Sequence, residues 1–249
     1  ANQMAYQTPL SNALRFRYRL IGAMKGVSSL ADLKRIKREM GAFRRHRCQD
    51  ARPLVKDPFA LYSAEWFAET FDMDVVVLIR HPAAIASSLK RLKWGLPFWH
   101  LLEQSALMHD HLHLFEAELK EIEAGRHDVI DQAILLWNVL YYVVGKYRQE
   151  HDEWIFLRHE DLARDPLEGF QNLYDALSLD FTPEVESVIR EHCGPSNPGE
   201  VPADWPYALR RHSSATVWKW KDRLTSQEIA RVKEGTRDIA ERFYSEEDW

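Results

Sequence analysis

Val75-Val76-Val77-Leu78-Ile79-Arg80-His81-Pro82, running on into Ala83 to Leu92, is the stretch from which the fold can be read. Its five apolar residues are mostly β-branched and do not alternate with polar ones, the pattern of a strand covered on both faces in a parallel α/β sheet. Arg80 emerges at the carboxyl end of that strand, where ligands of open parallel sheets bind. Pro82 suits the first turn of a helix, where its missing N–H costs nothing and the free N–H groups favour negative charge. Within the helix, Ile85, Leu89 and Leu92 share one face at three-four spacing, and Ser88 lies in the same inward stripe, two turns from Arg80. A guanidinium, a hydroxyl and a helix start thus converge on one place suited to an anion. The same residues also allow a structural salt bridge at Arg80 and a packing role for the small Ser88.

Working outward, Arg52 to Pro58 reads as a short strand ended by Pro58, and Tyr62 to Phe71 as the helix that follows. Leu96 to Ala124 reads as helical, and Asp131 to Glu150 as a long apolar helix packed on the sheet. Trp154-Ile155-Phe156-Leu157-Arg158 is a second unbroken apolar strand, with Asp165-Pro166 opening the next helix. Thr182-Pro183-Glu184 is an N-cap with proline in the first turn of a helix that continues to His192. Gly194 to Pro206 is a loop placed to cover a site, and Thr225 to Phe243 is a closing helix. Strands alternating with helices in this order predict an α/β fold, a parallel sheet flanked by helices.

At 249 residues and 45% hydrophobic content the chain can bury a core of its own and fits one domain over 1–249. Within it, 1–50 is a basic segment with two amphipathic helices and 52–249 the α/β core. The net charge of −5 gives no general attraction to nucleic acid, although arginines cluster between Arg15 and Arg47. Cys48 and Cys193 match no metal or redox spacing, so free thiols and a cytoplasmic location are expected. No segment has the apolar length of a transmembrane span. His109 and His113 sit at i and i+4, but Asp110 stands where a zinc-protease helix carries glutamate, so no metal is expected.

Together these pieces resemble the sulfotransferase family, from Arg52 onward. Val77-Leu78-Ile79-Arg80-His81-Pro82 with Ser88 is similar to that family's 3′-phosphate motif, an arginine at a strand end and a serine eight positions later. Leu157 to Leu162 resembles the family's later strand, with His159 in a position where tyrosine is common and can approach the adenine. Ser213-Ser214 through Thr225 is similar to the C-terminal loop that closes on the cofactor, and Lys56-Asp57-Pro58 to the strand end facing the acceptor.

The resemblance implies a P-loop-NTPase-like sulfotransferase fold and transfer of a sulfuryl group from 3′-phosphoadenosine 5′-phosphosulfate to a hydroxyl or amine. The acceptor would be a small molecule, glycan or lipid. Arg80, Ser88, His159, Arg211, Ser213 and Ser214 would bind the donor. Lys56 would stabilise charge near the transferred group, and Asp57 or a histidine such as His100 would be the base. Relatives also open with a strand and a glycine-containing phosphosulfate loop, yet no Ser-Gly-Thr-like run occurs in this sequence. With Ala1 in place of methionine, the expectation is that this first strand and loop lay upstream. Two other readings remain open: a degenerate nucleotide-binding module without chemistry, and a scaffold whose basic helices dock an acidic partner. A P-loop kinase would need a Walker lysine and a magnesium carboxylate, and neither is found.

Overall fold

The computed structural model describes residues 3–49, 51–125, 127–200 and 209–249. They form two compact units, Ala1–Phe59 and Ala60–Trp249. The first contains α1 (Gln3–Leu14), α2 (Leu20–Met24) and α3 (Leu30–Cys48). Helix α3 starts at a capping box. Asp32 N–H donates to Ser29 Oγ at 3.2 Å while Ser29 N–H donates to Asp32 Oδ2 at 3.0 Å, satisfying two helix-start donors at once. Ile36 is the buried residue of α3, so its arginines lie on a solvated surface. The expected strand at Arg52 to Lys56 does not form, and the segment is extended and exposed, with Leu54 89% accessible. Its alternation-free apolar pair is only Leu54-Val55, and Pro53 removes a ladder donor.

The second unit continues with α4 (Ala64–Phe71), β1 (Val76–Ile79), α5 (Pro82–Leu92), α6 (Trp99–Leu102), α7 (Ser105–Leu107), α8 (Glu116–Ala124) and α9 (Val129–Glu150). After these come β2 (Ile155–Arg158), α10 (His159–Arg164), α11 (Pro166–Ala176), α12 (Pro183–Cys193), α13 (Ser213–Thr216), α14 (Lys219–Arg223) and α15 (Ser226–Ala240). The two strands pair in parallel, with Val76 opposite Ile155 and Ile79 opposite Arg158. Among the described residues they are the whole sheet. Successive side chains point to opposite faces, and only one face is covered: Val77 and Ile79 are buried while Val76 and Leu78 are 40% and 48% accessible. The expectation of a strand buried on both sides therefore holds on one side only.

Helix α9 is the spine. Asp128 caps it, accepting from the N–H groups of Ile130 and Asp131 at 2.8 and 3.0 Å, which is why it starts ahead of Asp131. It carries ten buried residues because α5, α8 and α15 pack around it. Trp137, Tyr141 and Tyr147 join the strand-side core with Val77, Ile79 and Phe243, while Ile130 and Ala133 join a second cluster with Ala83, Ala86, Leu89, Trp220 and Val232. The helix expected over Leu96 to Ala124 is broken: α6 and α7 are followed by a π turn, Met108–Leu112, and a 3-10 turn, His113–Phe115. Gly95 and Pro97 delay its start. The loop expected over Gly194 to Pro206 is described as far as Glu200, and 201–206 lie outside the described residues. No helix among the described residues is long and apolar enough to cross a membrane.

Candidate functional site

Arg80 follows β1 and is fixed by its backbone. Its N–H donates to Tyr141 Oη at 2.9 Å, and its carbonyl accepts from Trp137 Nε1 at 2.9 Å. Those two rings stack on each other along α9, with centroids 4.5 Å apart. A rigid helix thus aims the guanidinium. The side chain approaches Ser88, Nη2 to Oγ at 3.5 Å, and Ser88 Oγ donates to the Ala84 carbonyl at 2.9 Å, which orients a lone pair toward the cation. Arg80 Nε is buried and has no hydrogen-bond partner among the described residues. A buried guanidinium N–H without an acceptor is costly, and a ligand oxygen would supply what the protein withholds.

Charges of both signs act on Arg80. Burial lowers the pKa of its guanidinium from the ordinary value, Glu160 and Tyr141 oppose this, and Arg211 and Arg223 lower it further. His159 is pulled below its ordinary pKa by burial and then by Arg80, so it stands neutral beside the guanidinium. Arg211 is lowered by burial and by the neighbouring Arg91 and Arg223. Arg80, Arg91, Arg211 and Arg223 are thus close enough to repel one another, and Arg80 and Arg223 reach the hydroxyls of Ser88 and Ser87, donors of the kind that suit an oxyanion.

A cavity of about 570 Å³ is lined by Ser87, Lys90, Arg91, Glu200, Lys219, Asp222 and Arg223, which include two of these arginines but neither Arg80 nor Ser88. Arg223 donates to Ser87 Oγ at 3.5 Å and to Glu200 Oε1 at 2.7 Å, and Arg91 lies 3.6 Å from the same carboxylate oxygen. Arg91 escaped the sequence reading, and Arg223 lay within the stretch assigned to the cofactor loop without being singled out. The signal was one helical turn past Ser88 for Arg91, and a basic residue within Trp220-Lys221-Asp222-Arg223 for the other.

Another cavity, of about 530 Å³, is lined in part by Arg158 at the end of β2. That guanidinium is already spent. It donates to both carboxylate oxygens of Asp248, at 3.1 and 2.7 Å, and its Nε lies 3.1 Å from Asp161. Of the two strand-end arginines, Arg158 is tied to two carboxylates, whereas no carboxylate among the described residues is bonded to Arg80.

The other expected residues divide. Arg80, Ser88, His159 and Arg211 come together. Ser213 Oγ donates to the Cys193 carbonyl at 3.3 Å, and Ser214 is exposed with its hydroxyl 3.1 Å from His212 Nε2, so both loop hydroxyls are engaged locally. Lys56 and Asp57 belong to the first unit and are exposed on its extended segment. His100 is exposed on α6; of the aromatic residues near it in the sequence, Phe98 is a core residue at 2% accessibility, and Trp94 and Trp99 are exposed at 49% and 41%. The helix start at Pro82 is not open to an anion: His81 Nδ1 accepts from Ala83 N–H at 3.2 Å, and the His81 carbonyl takes the N–H groups of Ala84 and Ile85. The expected anion-binding helix start is therefore not available, and any such role falls to side chains.

The sequence profile described as "Sulfotransferase family" matches residues 23–183, more than half of the chain. The match enters the basic helical segment and stops before the C-terminal loop that contributes Arg211 and Arg223. Among curated proteins, carbohydrate sulfotransferase 2 of Mus musculus is 23% identical over 196 residues, covering 73% of this chain and 34% of that protein. Its Homo sapiens counterpart is 24% identical with the same coverage. The chain thus spans about a third of the length of these relatives. A solved structure, "Sulfotransferase Domain from the Curacin Biosynthetic Pathway", superposes with a TM-score of 0.51 at 15% identity, covering 93% of this chain and 78% of that one. This is a likeness of fold.

Proposed function

The chain belongs to the sulfotransferase family, and from that premise we propose that it binds 3′-phosphoadenosine 5′-phosphosulfate at Arg80 and assists sulfuryl transfer to a carbohydrate hydroxyl. The observation that carries this reading is Arg80, its backbone held by α9, its guanidinium without a bonded carboxylate and its buried Nε without a partner among the described residues. The donor supplies the sulfuryl group. Arg80, Ser88, Arg211 and Arg223 hold its ribose-side phosphate, a dianion that the short-range repulsion among these arginines favours. His159, neutral next to Arg80, provides a flat surface and a hydrogen-bonding edge for the adenine. Preorganised cations of this kind position the donor for in-line attack and need not reorganise as charge develops.

Lys56 and Asp57 enter the proposal through the resemblance alone, as the cation near the transferred group and the base for the acceptor proton. The carbohydrate acceptor is supported by the names of the curated relatives and by the exposed indoles of Trp94 and Trp99, which have the faces that sugars stack on.

Calorimetric titration of 3′-phosphoadenosine 5′-phosphate into the wild type and Arg80→Ala tests the site without requiring turnover. The expected loss is about 1.5–3 kcal/mol of binding free energy, the worth of a charge-assisted hydrogen bond. Equal affinities would remove Arg80 from the donor site.

A further inference from the structure

Helix α9 ends in a polar knot that the sulfuryl-transfer reading does not use. One ligand atom each from Glu65 on α4, Glu150 at the last position of α9 and His151 just beyond it lie within 4.8 Å of one another. We propose that His151 Nε2 and the carboxylates of Glu65 and Glu150 bind a divalent first-row transition cation of the zinc class, tying the start of α4 to the end of α9.

The imidazole is set up for this. Its Nδ1 lies 3.0 Å from Glu153 Oε1 and its Nε2 3.2 Å from Glu65 Oε1. A carboxylate on Nδ1 fixes the proton there, leaving the Nε2 lone pair directed at the other carboxylates, the outer-sphere arrangement that orients metal-bound histidines. The ring is also held in plane by Trp154, stacked at 4.1 Å and 9°, itself only 6% accessible. Charge argues in the same direction. Glu65, Glu150 and Glu153 gather at the carboxyl end of a 22-residue helix, whose partial negative charge adds to theirs. A proton on His151 offsets one of these charges, whereas a divalent cation offsets two. One nitrogen and two carboxylate oxygens are donors that suit zinc and its neighbours.

An independent observation points to a ligand at the same place. Tyr147, one turn before His151 on α9, is 1% accessible, and its hydroxyl is buried without a hydrogen-bond partner. Its ring centroid lies 5.8 Å from that of His151, and Glu65 and Glu150 are the charges that act on its hydroxyl. His111 Nδ1 and the Tyr62 hydroxyl are likewise buried and unpartnered, with the His111 ring 6.4 Å from Tyr147 and 6.2 Å from Tyr62. The charges acting on His111 are Lys146, Asp110, Glu65 and Glu150. Water on a bound cation would give these three atoms the partners that the protein does not.

The test uses the full chain, stripped with a chelator. Zinc is titrated calorimetrically, and cobalt is added to read the visible absorption of a nitrogen-oxygen site. One equivalent is expected to bind, raising the melting temperature by mass action. His151→Gln and Glu65→Gln should each weaken it by at least about a hundredfold, and Glu153→Gln by about tenfold through loss of the orienting carboxylate. Glu65 lies at the rim, so its variant keeps the test valid if His151→Gln fails to fold. No stoichiometric binding by the wild type overturns the proposal. So does wild-type affinity in a folded His151→Gln or Glu65→Gln, which would assign the zinc to exposed histidines such as His109 and His113.

Discussion

At the residue scale the sequence repeats one phrase, Ile79-Arg80-His81 and Leu157-Arg158-His159, and the structure gives the copies different work. Arg158 is paired with both carboxylate oxygens of Asp248, 90 positions downstream, while no carboxylate among the described residues is bonded to Arg80. The local sequence separates them only in part: Asp161, three positions after Arg158, pairs with its Nε where Ala83 follows Arg80, but the bidentate partner Asp248 is remote. The histidines diverge as well. His159 faces the arginines, whereas His81 is fully buried, stacked on Trp220 at 4.9 Å and packed edge-on by Tyr244 and Trp249. Burial pushes the His81 pKa down to about 3 from 6.5. The unfolded chain therefore takes up a proton below about pH 6.5 that the folded chain refuses until about pH 3, so stability present above that window drains away as pH falls through it. His81→Asn, which retains an acceptor for Ala83 N–H but does not titrate, should flatten the fall in melting temperature between pH 7 and pH 5. An unchanged slope would show that other groups govern acid sensitivity.

At the element scale α9 does for Arg80 what a catalytic scaffold must do, holding a strand end in register by two side-chain hydrogen bonds rather than by the sheet. Trp137→Phe leaves the Arg80 carbonyl without its indole donor, an unpaired buried acceptor that costs about 1–3 kcal/mol. Urea unfolding should report that loss, and affinity for the nucleotide should fall with it. Undiminished stability would mean that water replaces the indole. The long apolar runs that became α9, β1 and β2 were legible because their burial dominates local preference. The strand at Arg52 to Lys56 was misread, since two apolar residues and a proline cannot compel a ladder. The break of 96–124 into short turns was also missed: the π turn places His111 inward and leaves His109 and His113 exposed, which no helical wheel anticipates. The arginine cluster was half visible, because Arg91 and Arg223 are 132 positions apart and meet only when α5 and α14 pack together.

At the scale of the whole molecule nearly all buried apolar side chains among the described residues lie beyond residue 60, and Ile36 is the one described in the first unit. A chain beginning at Ala60 should thus keep its near-ultraviolet circular dichroism and a single cooperative melt, since both core clusters remain complete. Loss of that signal would show that 1–59 helps to hold the fold. Such a chain would also lack Lys56 and Asp57, so comparing nucleotide binding with turnover separates the donor grip from the remaining chemistry. The bare side of the sheet carries a cost of a different kind. Val76 and Leu78 offer a greasy, ladder-ready ribbon to any other copy of the chain, the geometry from which concentrated solutions turn cloudy. Light scattering that climbs with concentration, and that Leu78→Lys suppresses, is the expected signature; scattering indifferent to that lysine would place the stickiness elsewhere.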